Sequence, residues 1–101
     1  MTGHVPTVRE IQRAVAAHHG LSLKQLLAPT RKRRVIVPRH MAMYLARHMA
    51  GKSYQSLAKM FGHRDHTTVI NGVRATEWRM VRDREFSERV AKVYRRIILD
   101  E

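Results

Sequence analysis

Apolar positions recur along the chain at helical rather than strand spacing, in separate stretches divided by glycine, proline and capping residues. The first stretch opens on Thr7-Val8-Arg9-Glu10, in which Thr7 can cap a helix and Glu10 can reach back to the cap amide. Val8, Ile11, Ala14 and Val15 follow on one face, and Gly20 ends the run after His18-His19. Ser22-Leu23-Lys24-Gln25 repeats the capping box for a short turn carrying Leu26 and Leu27, which Pro29 stops. Pro38 suits the first turn of a third helix, predicted over 38–50, with Met41, Ala42, Tyr44, Leu45, His48 and Met49 as a mixed apolar face and Gly51 at its end.

Ser53 then caps a short helix that turns Tyr54, Leu57, Ala58 and Phe61 inward. Gly62 supplies a left-handed turn, and Asp65 caps the next helix within four residues. Helix, tight glycine turn, helix is the helix-turn-helix arrangement. Val69, Ile70, Val73 and Glu77-Trp78 recur along the helix that Asp65 opens. Asp83 caps a last one with Phe86, Val90, Val93, Ile97 and Ile98 on one stripe. The sequence carries no internal repeat or low-complexity tract, and only Val35-Ile36-Val37 has strand-like composition. The predicted fold class is all-α.

Composition narrows the function. At 101 residues the chain suits one domain over 1–101, too short to hold a separate ATPase domain beside it. The absence of cysteine excludes a disulfide scaffold, a thiol nucleophile and a cysteine zinc site, and fits a reducing compartment. No apolar run approaches the length of a bilayer span and the first residues lack the apolar stretch of a secretory signal, so a cytoplasmic, nucleoid-associated protein is expected. Twenty Lys and Arg face eight Asp and Glu, for a net charge of +12. Residues 1–82 hold 15 of those cations and three acids, and nine basic residues with no acidic one run from Arg31 to Arg64. Such density self-repels unless a polyanion lies against it, which makes nucleic acid the expected partner. A membrane surface fits less well, for want of a large exposed aromatic or leucine face.

The chemistry concentrates in Arg64-Asp65-His66-Thr67-Thr68, at the start of the second helix of the pair. Recognition helices present such residues to base edges in the major groove. Asp accepts from cytosine N4, Thr places a methyl against thymine, and His and Thr donate to bases or phosphate. Asp65 also serves as an N-cap, and the two roles coexist. Arg31, Arg33, Arg39, Arg47, Lys52 and Lys59 surround this set in sequence. Arg31-Lys32-Arg33-Arg34 forms an unpaired arm suited to minor-groove or phosphate contact. Arg74 can approach a phosphate, whereas Arg79, Arg82 and Arg84 suit a solvated outer face. His63 and His66, like His18 and His19, lack cysteine or carboxylate partners at ligand spacing, so no metal is expected. His63, Asp65 and His66 sit around one helix start rather than converging on a cleft, which leaves no catalytic residue, no cofactor and no small-molecule substrate. Met41, Met43, Met49, Met60, Tyr44, Trp78 and Tyr94 are expected in the core.

Gly62-His63-Arg64-Asp65-His66-Thr67-Thr68-Val69-Ile70, with Leu57-Ala58-Lys59-Met60-Phe61 and Pro38-Arg39-His40-Met41-Ala42-Met43-Tyr44-Leu45 before it, resembles the C-terminal DNA-binding domain of the bacterial replication initiator DnaA. The resemblance covers about residues 5–99. It implies a six-helix domain of the TrpR-like, DnaA C-terminal type that reads a DnaA box as a monomer on an asymmetric site. Arg64 to Thr68 would enter the major groove, and Arg31, with Arg33 beside it, the adjacent minor groove. Arg39 and Arg47 would contact the sugar-phosphate backbone, together with Arg34, His40, Lys52, Ser53, Lys59 and Arg74. The family commonly has a polar residue where this chain has Val37, Gln where it has His40, and a small or polar residue where it has His63. The initiator's ATPase and partner-binding domains have no counterpart in this sequence, and a natural stand-alone reader is expected. Its role would be to occupy or compete with full-length DnaA for such sites in replication or transcription control. The contrasting expectation is a sequence-blind architectural protein that only neutralises phosphate.

Overall fold

In the computed structural model, which describes residues 5–63 and 65–99, most helices begin where a short polar side chain accepts a backbone N–H bond. In α1 (Val8–His18), the Glu10 amide donates to Thr7 Oγ1 at 3.1 Å and the Thr7 amide to Glu10 Oε1 at 2.9 Å. In α2 (Leu23–Leu27), Ser22 and Gln25 make the same reciprocal pair at 3.0 and 2.8 Å. The exception is α3 (Arg33–Ala50), whose N-cap Lys32 makes no side-chain capping bond. Ser53 Oγ caps α4 (Tyr54–Met60) through the Ser56 amide, and Asp65 Oδ1 caps α5 (His66–Arg82) through the Thr67 amide. Asp83 Oδ1 accepts from the Phe86 amide at 3.1 Å in the first turn of α6 (Arg84–Leu99).

The start of α3 corrects the sequence reading. The helix begins at Arg33, five residues before Pro38, and Val35-Ile36-Val37 is helical. Pro38 therefore lies in the helix interior, where it has no N–H to offer the Arg34 carbonyl. The added turn is held by packing, since Val35 and Pro38 are both buried.

α3 lies at the centre, in contact with α1, α2, α4 and most extensively α5, while α6 closes over α1 and α5. Ile11, Val15, Leu26, Met41, Met43, Leu45, Leu57, Phe61, Val69 and Val93 are fully buried. α3 and α5 meet at Gly72, where an added Cβ would stand 2.5 Å from Met43 Sδ and 2.9 Å from His40 Cδ2. Hydrogen suits that crossing and a methyl group does not. Trp78 (63% exposed), Tyr94, Met60 and Ile98 lie outside the core, contrary to their predicted burial. In α5 the buried stripe is Val69, Gly72, Val73 and Thr76, and Trp78 falls on the opposite face, where it stacks under Arg82 at 3.9 Å.

Candidate nucleic-acid interface

The two helices of the helix-turn-helix are locked from several sides. Gly62 takes φ 76°, a left-handed conformation that a side chain would strain, and the His63 amide donates to the Ala58 carbonyl at 2.8 Å. Gln12, fully buried on α1, donates its Nε2 to the Met60 carbonyl at 3.1 Å and so ties the far end of the chain to the last residue of α4. Phe61 and Leu57 fill the angle between the helices.

From this frame the first turn of α5 projects into solvent. The Asp65 side chain is 69% exposed although its carboxylate accepts from the Thr67 amide. That amide, then the Thr67 hydroxyl, holds the carboxyl below its ordinary pKa, with a smaller contribution from His66, so Asp65 is anionic at neutral pH. With the side chain mostly exposed, the carboxylate keeps acceptor capacity towards solvent. The half-exposed His66 ring lies beside it, Nδ1 3.8 Å from Asp65 Oδ1. Thr67 is exposed and Thr68 half-buried, both in the first turn of α5. Arg64, expected in the major groove, lies outside the described residues.

The basic arm is ordered by its own backbone. The Thr30 amide donates to the Ala28 carbonyl and the Lys32 amide to Thr30 Oγ1. Arg31, Lys32, Arg33 and Arg34 are all exposed, the last two in the first turn of α3 rather than in a loop. Cations at an uncapped helix N-terminus oppose the helix dipole, a local cost that a nearby polyanion removes. Arg39, expected on a phosphate, is only 7% exposed, and its guanidinium donates to the carbonyls of Leu26 (2.8 Å), Ala28 and Thr30 (3.3 Å). Three of its five N–H donors are thus taken up inside the protein, where the side chain supports the arm. Burial lowers its pKa, and with no carboxylate against it among the described residues the three carbonyl dipoles compensate the charge.

The remaining expected contacts divide. Lys52, Ser53, Lys59 and Arg74 are exposed. Arg47 is half-buried, donating to the Lys52 carbonyl at 2.8 Å and lying 4.1 Å over the Tyr54 ring, so it braces the α3–α4 turn beside Ser53. His40 is half-buried at the α3–α5 crossing, where burial and then the neighbouring Arg39 lower its pKa. His63 is likewise shifted down by burial, and its Nε2 meets no hydrogen-bond partner among the described residues. No cluster of metal-ligating side chains occurs among the described residues.

Sequence reasoning missed two residues here. Gln12 sits between apolar Ile11 and Val15, and its only signal is that position 12 shares a helix face with Ala16. Asn71 is exposed one turn beyond Thr67, and the spacing of four on a helix start already read as a recognition helix was the available signal.

Residues 8–75 match the family described as the bacterial dnaA protein helix-turn-helix. The chain is similar to the chromosomal replication initiator protein DnaA of Sphingopyxis alaskensis, 43% identical over 89 residues that cover 88% of this chain and 20% of that protein. It is similar also to the protein of the same name from Cereibacter sphaeroides, 40% identical over 82 residues, covering 81% of this chain and 18% of the relative. The Brucella abortus protein is 38% identical over 94 residues, covering 93% and 19%. The chain thus spans about a fifth of the length of the curated relatives it matches. The matched segment runs from the start of α1 to the middle of α5 and takes in the capped recognition turn, and on that match the chain belongs to the bacterial DnaA helix-turn-helix family.

Proposed function

We propose that this protein binds duplex DNA in a sequence-specific manner at DnaA-box-like sites and acts in replication or transcription control without ATPase activity. One observation carries the reading: an exposed carboxylate, Asp65, anionic at neutral pH, stands at the tip of α5 on a mostly cationic surface. Phosphate repels a carboxylate, whereas a cytosine N4 amino group donates to it, so the group belongs against a base edge. Asp65, His66, Thr67 and Thr68, with Arg64 before them, read the major groove. Arg31 and Arg33 supply the minor-groove contact, and Arg34, Arg47, Lys52, Ser53, Lys59 and Arg74 the backbone contacts that set affinity and register. Arg39 and His40 support this surface from within. The named relatives are replication initiators, and the fifth of their length that this chain matches is the part that reads sites in this proposal. It binds as a monomer on an asymmetric site, among the nucleoid DNA of the cytoplasm, in competition with a full-length initiator.

The alternative, a sequence-blind architectural protein, leaves Asp65 with no role at the interface and is separated from the first reading by one titration. Binding is measured on a DnaA-box duplex and a scrambled duplex at physiological salt. The specific reading expects a preference on the order of 10³ for the box. A ratio near unity overturns it.

A further inference from the structure

The outer face of α5 is a row of side chains with no core to serve: Thr67, Asn71 and Arg74 recur at helical spacing, and all three are exposed. Asn71 is the anomaly of the row. Asparagine is a poor former of helix interiors because its amide competes for backbone partners, and on an exposed face alanine, lysine or glutamate would hold the helix better. It receives no return in kind. Thr76 Oγ1 donates to the Gly72 carbonyl and Asp65 caps the helix, but Asn71 makes no side-chain hydrogen bond among the described residues. Both ends of its amide face solvent, one donor pair and one acceptor on a short, two-torsion side chain.

Position along the helix gives this amide a target. One helical turn separates Asn71 from Thr67, a rise of about 6 Å along the axis. The major groove is about 8.5 Å deep, so a helix that seats Asp65 to Thr67 on base edges keeps Asn71 within the groove, while Arg74, about 10 Å from Thr67, comes level with the phosphates. Among the base edges of the major groove, adenine alone offers an acceptor at N7 beside a donor at N6, which matches the two ends of a carboxamide. We propose that Asn71 is a specificity-determining residue that reads an adenine in the major groove, donating through Nδ2 to N7 and accepting through Oδ1 from N6–H. This inference rests on the sequence-specific reading above and extends its reading set by one turn of α5. Asp65 selects through a charged acceptor and Asn71 through a neutral donor–acceptor pair, so the two discriminate different bases.

The test uses the full chain and the duplex that it enriches from a random pool. Wild type and Asn71→Ala are titrated on that duplex and on versions in which each A·T pair is replaced in turn by G·C. The variant keeps its fold, since the side chain is exposed and alanine is the better helix former. At one A·T pair wild type is expected to lose about tenfold or more on replacement while the variant loses nothing, with the slope of log affinity against log salt unchanged. Placing 7-deazaadenine at that pair, which removes only the N7 acceptor, should weaken wild type and leave the variant unaffected. Discrimination by the variant equal to that of wild type at every pair overturns the assignment, as does a uniform loss with a shallower salt slope, which would mark a phosphate contact. Those outcomes leave the specific-binding reading standing. A random pool that yields no preferred duplex removes that reading and this one with it.

Discussion

A guanidinium buried without a carboxylate survives because the dipoles around it do the work of a counter-ion. Arg39 answers three carbonyls at the end of α2 and in the loop behind it, and a forked planar cation is the only side chain that reaches all of them from one position on α3. Replacing it with alanine is expected to lower unfolding free energy by about 2–4 kcal/mol, since the carbonyls are left unpaired in a buried place. Arg39→Lys should recover only part of this, because the charge stays and the fork is lost. Urea denaturation measures both. An unchanged midpoint together with a salt slope shallower by about 1 would return Arg39 to the DNA backbone. At this scale the sequence was legible where the interaction is local. Thr7 with Glu10, Ser22 with Gln25, and Asp65 with Thr67 are all within three residues, so spacing alone announces them. Arg39 reaches back 13 residues to Leu26, and nothing in a basic Pro-Arg pair tells an inward guanidinium from an outward one.

Among the elements, α3 carries the plainest conflict between stability and binding. Its first turn sets Arg33 and Arg34 against the positive end of the helix dipole, behind a lysine that offers no cap. Lys32→Asp should therefore raise stability by about 1 kcal/mol in thermal or urea unfolding. The same change should weaken binding to every duplex and reduce the salt slope by about 1. A variant that is both more stable and fully active would mean that the arm does not meet phosphate. Existence and order of all six helices could be read from periodicity and caps. The start of α3 could not, because Pro38 is well suited to a first helical turn and only the burial of Val35, a tertiary fact, extends the helix past it. The exposure of Trp78 was available in principle. It lies off the stripe of Val69, Val73 and Thr76, but aromatic bulk suggested burial more strongly than register opposed it.

For the whole molecule the histidines set a direction with pH. Burial is the main cause that lowers the pKa of His18, His19, His40 and His63; nearby cations add to it for all four, and at His19 the bond to the Val15 carbonyl only partly opposes it. Each stays neutral in the folded protein to a lower pH than in the unfolded chain. Below the ordinary histidine value of about 6.5 the unfolded chain therefore holds more protons, and stability falls as pH drops through that window. Thermal midpoints should be level between about pH 7 and 8 and decline towards pH 5. A midpoint that rises on acidification would show that these rings are not neutral in the fold. Affinity for duplex DNA should move the other way while the fold persists, because added protons increase the positive charge.

The bond from Gln12 to the Met60 carbonyl spans 48 residues and joins the opening helix to the end of α4. What can be transplanted is consequently the bundle and not the helix pair: excising α4 and α5 alone would leave a carbonyl orphaned and the angle between the two rods unset. A graft that changes which bases α5 reads would therefore have to bring the remote glutamine with it as part of the same instrument.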